Sequence, residues 1–485
     1  MLSLVQRGLE LLRQYGLPFL VSLTGLAVAV RASEYLRVGT GRHRAEAAAF
    51  WFVAFVVLQC LIGGRRQQER DGSTPFPVLW TAGIAIAAIV AFWPAFSIGL
   101  LSDDFILLPT GAACTPRAWE FVRPLPLAVW ALTDSVLSRG ALPVALHALN
   151  VTLHATNAAL VVWFAVELGL PQLAALFAGF TFVLFPASVE AVAWASGIQD
   201  LLLVTGTLLF VVGTARARRL VMAGGLGIAL MSKETGVVVP VLAALALVDR
   251  RNWRELAARL GLSGLVCAAF AAWRLTSVPS TAALQVASGY ALKELLSRPF
   301  AALTLPWTRD EMRHGPVAAG IFVAVLIAAV TVASIIGTRR RVNVSIIPRS
   351  CAWIVVSALP VGAMFFVDAN LEGSRYLYLG IVGFALGLTT VMAALPRYLS
   401  AGLMVAALLS CSLGVRQHLE VWREAAGLRD EALASARSAL LTHAGGPIVQ
   451  NVPDSVRGAY VFRNGFREAV AREAGCAAAE RLRTE

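Results

Sequence analysis

Long apolar segments recur along this chain from residue 17 to residue 415, with short arginine clusters between them. Hydrophobic residues make up 58 % of the 485 residues and charged residues only 14 %, whereas about a quarter of a typical soluble domain is charged. Apolar segments of this kind are typical of membrane-spanning helices. The pattern predicts an all-α polytopic transmembrane helix bundle of about 11–13 spans. It excludes a disordered chain, a disulfide-rich secreted scaffold and an ordinary cytosolic enzyme.

The positions of the arginines indicate how the bundle is oriented, because cytoplasmic loops carry the excess of Lys and Arg in membrane proteins. The richness in Arg, Ala and Gly indicates a bacterial source, and we predict a multi-pass protein of the cytoplasmic membrane. The net charge of +12 lies in short clusters between apolar segments, so no nucleic-acid partner is expected. With the N-terminus in the cytoplasm, four clusters fall inside: Arg65-Arg66, Arg216–Arg219, Arg250-Arg251 and Arg339–Arg341.

Composition divides the chain into three parts. Residues 1–75 are predicted to form a membrane hairpin that does not fully cross, because four arginines lie in its outer connection. Residues 76–415 are the predicted transmembrane core. Residues 416–485 are charged and are predicted to form a small helical tail outside the cytoplasm. Cys114 and Cys476 are the only cysteines assigned outside the membrane, and they could pair in that oxidising compartment.

An acidic pair, Asp103-Asp104, follows directly after the apolar segment 76–101. One interpretation is a general base beside a second carboxylate that orients a substrate or binds a metal. The other is a helix end with two solvated acids. Since adjacent residues project in different directions, the two carboxylates are not expected to be equivalent, and we favour Asp103 as the base.

Four polar residues share one face of an otherwise apolar span: His147, Asn150, His154 and Asn157. At about 100° per residue they form a narrow stripe, which would be unfavourable against lipid. They either form hydrogen bonds between helices or line a polar active-site cavity. The sequence leaves both interpretations open.

Further charged residues lie at the ends of short apolar segments. Glu190 and Asp200 flank a predicted outer loop that contains Trp194, and they are either site residues or helix caps. Lys233 and Glu234 lie between two short apolar segments. Lys233 suits a phosphate group and Glu234 could orient it, although a turn with a snorkelling lysine is equally compatible.

Two predicted outer segments carry arginines where a lipid-linked anion could dock. Arg123 follows the acidic pair, and Arg375 precedes Tyr376 and Tyr378 at the start of a span. For a phosphate we favour Arg375 first, because its planar fork binds phosphate bidentately, then Lys233 and then Arg123. Single arginines at membrane interfaces are common, so neither is specific alone.

Taken in order, these motifs resemble the GT-C class of membrane glycosyltransferases, and in particular the bacterial relatives of the protein O-mannosyltransferases. The chain departs from the family's pattern at Gln199, where many relatives carry a basic residue, and its tail is too short for an array of tetratricopeptide repeats. The segment from Tyr460 to Asn464 also looks like the tails of such proteins. The matching motifs are Asp103-Asp104, Arg123-Pro124-Leu125, His154 to Asn157, Glu190 to Trp194, Asp200-Leu201-Leu202, Ser232-Lys233-Glu234 and Arg375-Tyr376-Leu377-Tyr378.

The resemblance implies inverting transfer of a sugar, such as a hexosyl or mannosyl group, from a polyprenyl-phosphate-linked donor on the extracytoplasmic face. The acceptor would be a protein, a lipid or a glycan. No nucleotide cofactor is implied, and a divalent cation stays open. The implied site residues are catalytic Asp103 and Asp104; cavity residues Glu190, Asp200, His147, Asn150, His154, Asn157 and Glu234; and lipid-phosphate-binding Arg375, Lys233, Arg123 and Tyr378.

Two other classes of function stay open. A transporter would also carry ionisable groups inside its spans, although it predicts midplane charges and internal repeats. A non-catalytic membrane scaffold would not need those groups. The position of the acids at the outer ends of spans favours the transferase.

Overall fold

The computed structural model describes residues 78–108, 123–248, 253–277, 299–300, 302–303, 343–361, 367–368, 370–442 and 448–484. The predicted hairpin 1–75 and Cys114 lie outside these residues. Every long element described is a helix, which confirms the all-α class.

Fifteen described helices and four short strands follow one another along the chain, joined at several points by single 3₁₀ turns. The first eight helices are α1 (Val78–Phe92), α2 (Asp103–Leu107), α3 (Pro124–Val136), α4 (Ala141–Glu167), α5 (Gln172–Leu184), α6 (Val189–Ala193), α7 (Ile198–Ala215) and α8 (Arg219–Ser232). The remaining seven are α9 (Val239–Leu247), α10 (Trp253–Ser277), α11 (Ile346–Ala358), α12 (Tyr378–Ala394), α13 (Arg397–Thr442), α14 (Phe466–Ala474) and α15 (Cys476–Arg481). The strands are β1 (Ile448–Gln450), β2 (Ser455–Val456), β3 (Ala459–Tyr460) and β4 (Leu482–Thr484).

Five of the described helices are long and apolar enough to cross a membrane, or six if α5 and the bent segment after it count as one span. The bend between them is 54°. The shorter apolar helices fall below the roughly 20 residues that a full crossing needs. They are Ala82–Ser97, Arg219–Ser232, Glu234–Leu247 and Ile346–Val361. The predicted short segments on either side of Lys233 are therefore short helices packed inside the bundle, and the total of 11–13 spans stays a prediction.

Helices α4, α7 and α12 run in the same direction through the bundle. Near the start of α4, Asn150 Nδ2 donates to the Trp194 carbonyl oxygen, which precedes α7, at 2.9 Å. At the far ends of the two helices, Glu167 and Arg216 form an ion pair of 2.6 Å. At the start of α12, Tyr378 contacts the middle of α4, while Leu386, two turns further along, lies with Phe164 near the end of α4. The bundle thus has one end at Trp194 and the opposite end at Arg216.

Helices α7 and α8 pack backbone against backbone through two glycines. A Cβ built on Gly206 would lie 2.5 Å from the Ala229 nitrogen and 2.5 Å from the Gly225 oxygen. A Cβ on Gly225 would lie 2.5 Å from the Phe210 nitrogen. Small residues allow helices to approach this closely in membranes. This contact positions the end of α8, where Lys233 follows.

We expect Gly206→Ala to lower the free energy of unfolding by about 1–3 kcal/mol, the usual effect of overpacking. The clashing atoms belong to the backbone and cannot rotate away. Gly224→Ala is the matched control, because nothing lies within 4 Å of its Cβ. Thermal unfolding of the purified variants in detergent measures the difference. Equal melting temperatures for the two variants would contradict this account of the helix contact.

The C-terminal part differs from the predicted small helical tail of residues 416–485. Helix α13 runs unbroken for 46 residues, so the boundary expected at residue 416 lies inside a helix. Beyond it, β1 pairs in parallel with β4 and β2 pairs antiparallel with β3, which the helix-prone composition did not predict. Cys476 is disulfide-bonded. Its partner lies outside the described residues, and pairing with Cys114 stays a prediction.

Candidate functional site

A cavity of about 220 Å³ lies at the end of the bundle near Trp194. It forms where the start of α2, the turns before α7 and α12, and the loop after β3 meet. Its lining is mostly polar and aromatic, with charges of both signs. The lining residues are Ser102, Asp103, Trp194, Glu372, Gly373, Arg375, Tyr376, Tyr460, Arg463 and Asn464.

The two adjacent carboxylates have different environments. Asp103 lines the cavity and accepts a hydrogen bond of 2.8 Å from Asn464 Nδ2. Asp104 is fully buried and accepts backbone hydrogen bonds of 2.8 Å from Ser196 and from Leu101. Burial raises the pKa of Asp104 to about 7, although these hydrogen bonds oppose the shift. Asp104 therefore anchors the turn before α7, and Asp103 is the carboxylate that can meet a ligand. The expectation that Asp104 also acts on the substrate does not fit its burial.

The turn that presents Asp103 has an uncommon backbone conformation. Ser102 has φ +47° and ψ −119°, which non-glycine residues rarely adopt. Its backbone nitrogen donates to the Val461 oxygen at 3.0 Å. Unfavourable conformations of this kind persist where surrounding contacts hold them, and they concentrate at functional sites. The next residue then starts α2 with its side chain in the cavity.

Arg375 reaches the cavity from the turn before α12. Its Nη1 pairs with Glu190 Oε1, and its backbone nitrogen lies 3.3 Å from Glu190 Oε2. The guanidinium lies 4.8 Å from the ring centroid of Trp194, and it also contacts the rings of Tyr376 and Tyr460. A positive charge held over aromatic faces is attracted to them. Arg375 is thus fixed in position, with Glu190 behind it rather than in the cavity.

Lys233 forms a second buried ion pair beside the first. Helix α8 ends at Ser232, and the extended backbone of Lys233 directs its side chain toward the start of α7. Its Nζ pairs with Asp200 Oδ1, and both side chains are almost fully buried. The ammonium lies 5.2 Å from the Tyr376 ring, which also contacts Arg375. The two cations therefore share Tyr376, although only Arg375 lines the cavity.

Arg123 and Glu234 lie in a third group of charges. Arg123 Nη2 pairs with Glu234 Oε2 at 3.0 Å, and its Nη1 donates to Gln199. Arg274 Nη2 lies 3.4 Å from the other oxygen of Glu234. Neither Arg123 nor Glu234 lines the cavity, so the structure does not place the predicted phosphate ligand Arg123 beside Arg375. Gln199, the position at which the chain departs from the pattern it resembles, is neutral and accepts a hydrogen bond from Arg123.

The polar stripe of α4 connects helices and does not line the cavity. His147 Nε2 lies 2.9 Å from the Gly99 oxygen, and Asn150 donates to the Trp194 oxygen. His154 Nε2 lies 3.0 Å from the Val183 oxygen, and Asn157 donates to the Leu201 oxygen at 2.9 Å. All four side chains are fully buried. The cavity interpretation is therefore wrong, because carbonyl oxygens of other elements of the bundle accept hydrogen bonds from these side chains.

Tyr378 is also inside the bundle, not at the membrane interface. Its hydroxyl lies 2.8 Å from His154 Nδ1 and 3.3 Å from Asn157 Nδ2. The side chain is fully buried. Its assignment to a lipid phosphate is wrong, because its side chain is buried against α4 and does not line the cavity. Tyr376, the neighbouring ring, lines the cavity instead.

Several cavity residues come from parts of the sequence to which no role was assigned. Tyr460, Arg463 and Asn464 belong to the segment after α13, and Glu372 lies in the connection before α12. The resemblance singled out the segment from Tyr460 to Asn464, but its contact with Asp103 spans about 360 residues of sequence. No local pattern indicates such a contact.

The part of the chain that the structure describes contains no group of three or more His, Cys, Asp or Glu side chains that could hold a metal ion. Whether a divalent cation takes part stays a prediction. Comparison with protein-family models, with curated proteins and with solved structures finds no match to this chain.

Proposed function

We propose that this chain is a membrane glycosyltransferase that moves a sugar from a polyprenyl-phosphate-linked donor to an acceptor hydroxyl. The observation that carries the proposal is the shared cavity of Asp103 and Arg375 at one end of the apolar bundle. One group accepts a proton and the other binds an anion. The motif order that resembles the GT-C class agrees with this pairing.

In the proposed reaction, an acceptor oxygen attacks the anomeric carbon of the sugar while the bond from that carbon to the phosphate oxygen breaks. The acceptor's proton passes to a carboxylate oxygen of Asp103, and the polyprenyl phosphate leaves with the bonding electron pair. Negative charge grows on the phosphate as it leaves. Arg375, already held by Glu190 and by aromatic faces, stabilises that charge without reorganising.

Lys233 also stabilises the negative charge that grows on the leaving phosphate. Its ammonium shares the Tyr376 ring with Arg375, so both cations act on one side of the cavity. Glu190 and Asp200 are the counter-ions that allow these cations to be buried. We propose this as their role in place of direct contact with the sugar.

The orientation follows from the two ends of the bundle. Helices α4 and α7 run from the cavity end to the end at Arg216, where Arg218 and Arg219 also lie. Since arginine-rich ends face the cytoplasm, the cavity faces the extracytoplasmic side of a bacterial cytoplasmic membrane. The bilayer then supplies the lipid donor from the side, and the acceptor, whether protein, lipid or glycan, enters from the aqueous side.

A transporter would use the same buried ion pairs differently. It would place its substrate site near the bilayer midplane, between repeats of the bundle. The cavity lies instead at helix starts, next to the segment after β3. This position favours transfer at a membrane surface over passage through the membrane, and also over a scaffold that needs no polar cavity.

The test is sugar transfer by the purified chain in nanodiscs, with polyprenyl-phosphate mannose and polyprenyl-phosphate glucose as donors. We expect Arg375→Ala to lower kcat/KM for the donor about 10²–10³-fold, the usual loss when one charge-stabilising group is removed. The kcat/KM of Arg375→Lys is expected to lie between those of the wild type and Arg375→Ala, because lysine keeps the charge but lacks the planar guanidinium that binds phosphate bidentately.

Arg437→Ala is the control, since this arginine lies on the exposed surface of α13 in a pair with Glu473. It is expected to leave transfer unchanged. Wild-type donor dependence in a folded Arg375→Ala variant would contradict the phosphate role. No transfer from either donor by the wild-type chain would argue against the proposed donors.

A further inference from the structure

We propose that Asn464 is a positioning residue for Asp103, so that the segment 460–465 is part of the active site. This inference rests on the proposed function, in which Asp103 accepts the acceptor's proton. It concerns a residue to which neither the sequence motifs nor the proposed reaction assigns a role.

The segment docks on the turn that presents Asp103 through three hydrogen bonds. The Ser102 nitrogen donates to the Val461 oxygen at 3.0 Å, and the Asn464 nitrogen donates to Ser102 Oγ at 3.2 Å. The third bond is from Asn464 Nδ2 to Asp103 Oδ1 at 2.8 Å. Gly465 allows the close approach, because a Cβ there would lie 2.4 Å from the Ser102 oxygen.

The segment is itself held in place, which a positioning residue requires. The backbone nitrogens of Val461 and Phe462 donate to the oxygens of Asp454 and Pro453. The Phe462 ring lies 5.8 Å from that of Phe105 in α2, the helix that also carries Asp103. The ring contact and the backbone hydrogen bonds therefore hold Asn464 and Asp103 in fixed positions relative to each other.

This contact orients a carboxylate without neutralising it. In the part of the chain described, Asn464 is the hydrogen-bond partner of Asp103, and its amide occupies Oδ1. The second carboxylate oxygen is left for the acceptor's proton. A neutral amide restrains rotation of the carboxylate without forming an ion pair with it.

The same segment also contacts the second functional group. Arg375 Nη1 donates to the Tyr460 hydroxyl at 3.1 Å, and its guanidinium lies over the Tyr460 ring. Burial raises the pKa of Tyr460 to about 12, so this hydroxyl stays neutral. Through Asn464 the segment therefore orients the carboxylate of Asp103, and through Tyr460 it restrains the guanidinium of Arg375.

The test compares Asn464→Ala, Asn464→Asp and Asn464→Gln in the nanodisc transfer assay with polyprenyl-phosphate mannose or glucose. The first two remove the donor and are expected to lower kcat about 10- to 100-fold, with donor KM within about twofold of wild type. Asn464→Gln keeps an amide and is expected to retain more activity than either. Glu473→Gln, on the exposed surface of α14, is the matched control and is expected to behave as wild type.

Hydrogen exchange over residues 459–466 shows whether each variant keeps the segment docked. A docked Asn464→Ala or Asn464→Asp variant with wild-type kcat would overturn the inference and leave the proposed function standing. Undocking by both would also overturn it, because the side chain would then only hold the segment. Absence of transfer by the wild-type chain would instead count against the proposed function.

Discussion

Replacing Asp103 by Asn is expected to lower the rate of sugar transfer about 10²–10⁴-fold, the usual loss when a general base is removed. The change keeps the shape of the side chain and removes the oxygen that would take the proton. Because Asp103 is at the cavity surface and not in the core, the fold is expected to survive. Turnover at saturating donor, measured in nanodiscs, gives the effect.

Two comparisons make this result specific. Asp134→Asn alters a carboxylate that pairs with Arg472, outside the cavity lining, and is expected to keep normal turnover. Asp104→Asn is expected to act on stability, because Asp104 accepts hydrogen bonds from Ser196 and Leu101. Wild-type turnover by a folded Asp103→Asn variant would contradict the role of Asp103 as the base.

Breaking the buried pair of Lys233 and Asp200 is expected to have the largest effect on stability. Lys233→Met leaves Asp200 buried and uncompensated, which typically lowers the free energy of unfolding by about 3–5 kcal/mol. Asp200 Oδ2 already has no hydrogen-bond partner among the described residues. Thermal unfolding in detergent is the measurement.

The double variant Lys233→Met/Asp200→Leu separates stability from function. Removing both charges is often neutral or stabilising in a protein interior, so its melting temperature is expected to recover. Its transfer rate is expected to stay low, because the ammonium near the cavity is gone. Full activity in a stable double variant would show that Lys233 has only a structural role.

The exposed pair of Arg437 and Glu473 provides the control for this cycle. Its side chains are 67 % and 38 % exposed, and such pairs contribute at most about 1 kcal/mol. Arg437→Met and Arg437→Met/Glu473→Leu are therefore expected to unfold near the wild-type temperature. A large drop in the melting temperature of these variants would mean that any loss of charge destabilises the protein, whether or not the pair is buried.

Much of the fold was predictable from local patterns. The recurring apolar segments predicted helices, and the two short segments on either side of Lys233 predicted short ones. The stripe on α4 predicted that four polar side chains avoid lipid, and they are fully buried. What the stripe contacts was not predictable, because the acceptors of His147 and His154 are carbonyl oxygens on other elements.

The candidate site was predictable only in part. Asp103 and Arg375 were named from their positions after and before apolar segments, and both line the cavity. Tyr378 and Arg123 were assigned on the same kind of argument, and the packing places both elsewhere. Position along a span gives the depth of a residue, whereas the direction of its side chain depends on which helices surround it.

The sequence by itself therefore determined the helical class and the need for buried charges to pair. These follow from composition and helical periodicity, which act over a few turns of one helix. The tertiary structure decided the partners: Glu190 for Arg375, Asp200 for Lys233 and Asn464 for Asp103. Those contacts join residues between 33 and about 360 positions apart, so only the packing of the whole chain brings them together.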